Sequence, residues 1–203
     1  YRIHFLEPDA FGRQEKRDME PPGWCDVTVW PASPDGLRRA ALESADADIV
    51  VKASGVGYED DQLHEAVLAA ARPDALKIFW DVDAPATLAM LSAQPDAPLH
   101  GALRRTDLVL TYGGGEPVVA RYRNFGVRRC IPVHNGLDPS THHPVAPQDR
   151  FVADLSFLGN RLPDREARVE DFLLDAASLA PDHSFLIGGA GWEDKEMPRN
   201  IRR

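Results

Sequence analysis

Two carboxylates stand two residues apart in DVDAP (Asp81 and Asp83), directly after the apolar run KIFW, and a histidine, His134, follows another apolar run in PVHNGLD. In an extended chain, residues i and i+2 point to the same side. Such a pair suits several roles: accepting hydrogen bonds from sugar hydroxyls, acting as a general base, or holding a divalent cation. The plainer alternative is that Asp83 caps a helix opening at Pro85 and Asp81 is solvated. His134 is a second candidate base, with hinge packing as its alternative.

Four glycine-bearing stretches accompany these groups: ASGVGY (Gly55, Gly57), LTYGGGEP (Tyr112, Gly113), FLGNR (Gly159, Asn160, Arg161) and IGGAG (Gly188, Gly189, Gly191). Glycine lets the backbone approach a ligand, and a helix N-terminus behind it attracts an anion. The triplet Gly113 to Gly115 fails the phosphate-loop pattern, because no Gly-Lys-Ser/Thr follows, and fails GxGxxG, because Val118 stands three residues after Gly115. Glu116 sets a negative charge where a phosphate would dock, so the triplet reads as a tight turn. The Gly159-Asn160 turn is the better diphosphate candidate, since the helix behind it offers Arg161 and Arg165 in its first turn. Asp164 and Glu166 are positioned to satisfy those arginines instead. The adjacent His142-His143 pair lacks a third nearby ligand, so no metal site is expected. No nucleophile elbow or Ser-His-Asp order occurs.

These groups need elements to hold them. Apolar runs at residues 2–6, 26–30, 48–52, 77–80, 107–112 and 129–133 read as buried strands. Between them, residues 58–71 carry Leu63, Ala66, Val67 and Ala70 at helical spacing, Pro85 opens a shorter helix through Leu91, and Pro117 opens one that stops at Gly126. Alternating strands and helices imply an α/β fold, a Rossmann-like and mostly parallel sheet covered on both faces. Residues 1–135 form this first domain. Residues 136–150 (GLDPSTHHPVAPQDR) read as a hinge. Residues 151–203 restart the pattern with strand 155–158, a helix from about 163 to 179 and strand 184–187, as the incomplete start of a second Rossmann-like domain.

The chain has 203 residues, 43% of them hydrophobic, and a formal net charge of -9. That charge argues against a nucleic-acid partner, which requires clustered Lys and Arg. No run approaches the roughly 20 apolar residues of a membrane helix. Cys25 and Cys130 read as reduced thiols of a cytoplasmic protein. Opening on Tyr1 and stopping at MPRNIRR, the sequence reads as a fragment.

The run IFWDVDAPATL, the hinge PVHNGLDPSTHHPV and the second-domain stretches DLSFLGNRLPDREARVEDFLL and FLIGGAGWEDKEMPRNIR together resemble two-domain glycosyltransferases of the GT-B type, most closely the group related to the spore maturation protein CgeB. The resemblance implies a nucleotide-sugar donor held on the second domain, an unidentified acceptor on the first, reaction in the cleft between them, and no obligatory metal or other cofactor. Carried over, Gly159, Asn160, Arg161 and Arg165 lie near the donor diphosphate, with Gly188, Gly189 and Gly191 bordering it. Asp81, Asp83 and His134 serve the chemistry, and Gly55, Gly57, Tyr112 and Gly113 meet the acceptor. Two other readings share the fold: a non-catalytic module that binds a sugar, a nucleotide or a protein, and a nucleotide-sugar epimerase.

Overall fold

A computed structural model describes residues 1–12, 14, 19–55, 57–163 and 166–203. The chain divides into two compact units, Tyr1–Gly136 and Leu137–Arg203. Both are α/β, with parallel sheets of two, four and three strands alternating with helices, compatible with a Rossmann-like fold.

In the first unit, β1 (Ile3–Asp9) pairs in parallel with β2 (Cys25–Pro31), and β3 (Ile49–Ala53), β4 (Leu76–Asp81), β5 (Leu108–Tyr112) and β6 (Cys130–Val133) form a separate parallel sheet in sequential order. Every apolar run read from the sequence is a strand. The connecting helices are α1 (Pro34–Glu43), α2 (Asp60–Ala70), α3 (Ala84–Ala93), α4 (Leu99–Arg105) and α5 (Gly115–Asn124). Sequence reading missed α1 and α4. The first had a legible start: Ser33 caps it by accepting from the Gly36 amide at 3.1 Å, with Pro34 at the first position.

One expectation is corrected. Among the described residues, the four-stranded sheet is covered on one face rather than both. Val50, Phe79, Val109 and Cys130 point into clusters with helix residues, among them Val67, Leu88, Leu103 and Tyr122. The alternate positions Ile49, Val51, Leu76, Trp80, Tyr112 and Ile131 are exposed. The cause is topological: parallel crossovers are right-handed, so strands laid down in one direction send every connecting helix to the same face. The two sheets of this unit share helical packing, because Leu63 and Ala66 of α2 touch both the Val50 cluster and the cluster around Trp30 and Leu37.

The second unit holds β7 (Leu155–Leu158), β8 (Phe185–Gly188) and β9 (Ile201–Arg202) in one parallel sheet. The third strand corrects the two-strand reading. The helix between β7 and β8 is not uniform: α6 (Glu166–Val169) and α7 (Asp175–Leu179) flank a π-helical stretch, Glu170–Leu174. Its inner stripe, Val169, Leu173, Leu174 and Ala177, packs with Phe185, Ile187 and Trp192.

Against the four-stranded sheet, His64 of α2 is buried and stacks on Phe79 with ring centroids 5.1 Å apart. Burial, aided by the cations Lys52 and Arg105, pushes its pKa from 6.5 down to about 4. The fold therefore favours the neutral ring. Stability is full above pH 6.5 and is lost as pH falls from 6.5 towards 4, by about 3 kcal/mol across that window. In urea titrations of the first unit's transition, His64→Phe is expected to flatten the pH dependence over that interval relative to wild type.

Candidate functional site

Ligands of open parallel sheets bind beyond the carboxyl ends of the strands. In the first unit that edge is organised around Asp81, the last residue of β4 and fully buried. Its Oδ1 accepts from the hydroxyls of Ser54 (2.8 Å) and Thr87 (3.0 Å) and from the Asp83 amide (3.1 Å), and its Oδ2 accepts from the Tyr122 hydroxyl. Ser54 Oγ in turn accepts from the Val82 amide at 2.9 Å. Asp81 thus joins the end of β3, its own strand, the first turn of α3 and the last turn of α5. Burial, then the hydrogen bond to Asp81, raises the Tyr122 pKa, so this hydroxyl stays a donor. Burial also pushes the Cys130 thiol up to about 11.

The geometry revises the reading of Asp81 as solvated or as a base. With both oxygens engaged and no exposed surface, the carboxylate cannot touch a substrate in this conformation. Asp83 differs: it occupies the cap position of α3 but its side chain makes no capping bond, and it is exposed. His134 is exposed just past β6. Its ring lies where a Cβ on Gly113 would be 3.6 Å from Nδ1, so the two are neighbours. Tyr112 and Gly55 are exposed, Gly57 is half-buried, and Gly113 is buried.

Gly113, Gly114 and Gly115 all have positive φ, at 70°, 88° and 60°. Three consecutive left-handed residues require glycine at each position, because a Cβ is disfavoured there. Thr111, fully buried, donates to the Gly113 carbonyl at 3.0 Å and pins the turn. Glu116 is drawn along α5 to Arg123, at 2.9 Å, rather than standing alone at the helix start.

In the second unit the two predicted donor loops meet. They leave the carboxyl ends of the neighbouring strands β7 and β8 and continue the ladder beyond them. Gly159 N donates to Gly188 O and Arg161 N to Ala190 O, both at 2.9 Å. The Ala190 amide donates to Asn160 Oδ1 at 2.9 Å, and the Trp192 indole donates to the Gly159 carbonyl at 2.8 Å. A Cβ on Gly189 would overlap the Gly159 carbonyl, and its φ is +121°. Trp192, which sequence reading passed over, is the buried post of this junction.

Arg161 pairs with Glu166 at 2.8 Å and Asp194 at 3.0 Å. Lys195 pairs with Glu166 at 2.9 Å and also with Glu170. Arg161 and then Lys195 hold the Glu166 carboxyl down at about 2. Three carboxylates therefore surround two cations, and Glu166 takes the place the sequence offered to a phosphate. Arg165 lies outside the described residues. Among the described residues, no group of three His, Cys, Asp or Glu could hold a metal ion, and no helix is long and apolar enough to cross a membrane.

The fold and these two edges define an α/β protein of two parallel-sheet units, each with glycine loops at its strand ends. No family model and no curated protein matches the chain.

Tyr122→Phe leaves one oxygen of a buried carboxylate without a donor, and the expected cost is about 2 kcal/mol in denaturant titrations. Gly189→Ala is expected to disrupt the second unit's loop junction, read as lost near-ultraviolet circular dichroism from Trp192.

Proposed function

We propose that the chain belongs to a glycosyltransferase that moves a sugar from a nucleotide-sugar donor to a hydroxyl acceptor. The supporting observation is the loop junction of the second unit, where glycine backbone from two adjacent parallel strands converges at the edge on which such sheets hold ligands. The donor diphosphate takes Arg161 by displacing Asp194, whose carboxylate is 81% exposed and holds only an outer pairing. Glu166 keeps the other side of the guanidinium in place. The acceptor oxygen attacks the anomeric carbon, the bond from that carbon to the phosphate oxygen breaks, and the nucleoside diphosphate leaves with the electron pair. The acceptor proton passes to Asp83 or His134, the exposed bases of the first unit. Asp81 holds the turn that carries Asp83 through its amide. The protein works in the cytoplasm, where the free thiols of Cys25 and Cys130 stay reduced.

The sealed state of Asp81 and the neutralised Arg161 favour a second reading, a module of the same fold that binds a sugar or nucleotide without turnover. Incubation with UDP-, GDP- and dTDP-sugars, followed by donor hydrolysis and by calorimetry, separates the two. Turnover supports transfer, binding alone supports the module, and the absence of both turnover and binding defeats both readings. Under the transferase reading, Asp83→Asn or His134→Ala lowers turnover at least tenfold with an unchanged melting midpoint, while Asp81→Asn lowers the midpoint.

A further inference from the structure

The two parallel sheets of the first unit have unpaired edges. Among the described residues, no strand bonds to β3 on the side away from β4, or to β1 on the side away from β2. Neither β1 nor β2 runs alongside β3, yet α1 lies over both sheets. Its Leu37 and Ala40 pack with Trp30 and Leu6, and its Ala41 packs with Val50 of β3. A helix is about 10 Å across, and the strands on either side of a third stand about 9.6 Å apart. The two sheets therefore bracket a slot one strand wide. β1 is the strand that borders it: α1 starts past the end of β2, and its last residue, Glu43, comes within 3.6 Å of His4 Nε2 on the way to β3. β1 is also the more exposed of its pair, with Ile3, His4 and Phe5 open on both faces. On the other side of the slot, the Asp48 carbonyl accepts from the Leu76 amide at 2.9 Å and the Ser54 amide donates to the Trp80 carbonyl at 2.8 Å. The even residues of β3 thus face β4, and the amides and carbonyls of Ile49, Val51 and Ala53 face the slot.

We propose that this slot takes one parallel β-strand, supplied by the same polypeptide ahead of Tyr1. An unpaired strand edge is a template for another strand, and one strand here satisfies two edges of the same direction. Chain order identifies the source. From the slot, β1 and then β2 lead one way, and β3 to β6 lead the other. A strand earlier in the chain than β1 makes the order 3-2-1-4-5-6-7, which contains the doubly wound arrangement 3-2-1-4-5-6. A strand from later in the chain gives no such order. Winding then reverses beside β3, the place where doubly wound sheets bind ligands, and the loop bearing Gly55 and Gly57 leaves β3 there.

The test compares the 203-residue chain with the full natural polypeptide by hydrogen exchange and thermal melting. In the full polypeptide the amides of Ile49, Val51 and Ala53 are expected to exchange at least tenfold more slowly, at every protein concentration, with β7 and β8 unchanged. Val51→Pro removes a donor that β4 does not use. It is expected to keep the melting midpoint of the 203-residue chain and to abolish the added protection in the full polypeptide. The wild-type comparison decides the matter even where the variant fails to fold. Equal exchange in the two chains, protection that survives Val51→Pro, protection that grows with concentration, or a natural polypeptide beginning at Tyr1 would overturn the proposal.

Discussion

A carboxylate with no exposed surface is expensive to bury unless its oxygens are filled with donors. In the first unit Asp81 meets that demand with three hydroxyls and one amide, drawn from β3, from α3 and from α5. The consequence reaches beyond one side chain. Each donor ties its element to the end of β4, so the turn bearing Asp83 and the end of β3 before Gly55 are set relative to one another by one buried charge. Without those donors the strand ends would be held by ladder hydrogen bonds and apolar packing alone, and neither dictates how the loops leave the sheet.

Strand order supplies the second constraint. A sheet built strand by strand in one direction puts its helices on one face because crossovers share one hand. The helix-covered face gains the core and the buried polar groups, His64 among them. The other face keeps apolar side chains in solvent. The polar groups therefore concentrate on the covered face and at the carboxyl edge.

The second unit solves a related problem with backbone. Beyond β7 and β8, the ladder is prolonged by main-chain bonds, by the Asn160 side chain standing in for a carbonyl, and by the Trp192 indole. Gly189 is required because nothing larger fits beside the Gly159 carbonyl. Next to this junction, Glu166 joins Arg161 to Lys195 and makes the first turn behind the loop an ion cluster. The loops proposed to hold a donor are thus also the unit's structural seam, and any ligand there exchanges with partners already in place.

Much was legible from sequence because it is local. The apolar runs fixed the strands, Pro85 and Pro117 marked helix starts, and the glycine triplet was readable as a turn from the absence of phosphate-loop residues and the presence of Glu116. The helix at Pro34 had its Ser-Pro start in plain view. What tertiary structure alone decided depends on partners distant in the chain. Asp81 is sealed by Ser54, 27 residues before it, and Tyr122, 41 residues after it, and no spacing rule links the three. Arg161 is claimed by Asp194, 33 residues on. Two-sided apolar strands announced a sheet meant for cover on both faces, yet only the order and hand of its crossovers determined which face received the helices. Sequence periodicity records how apolar each side of a strand is; the packing of other elements determines which side is filled.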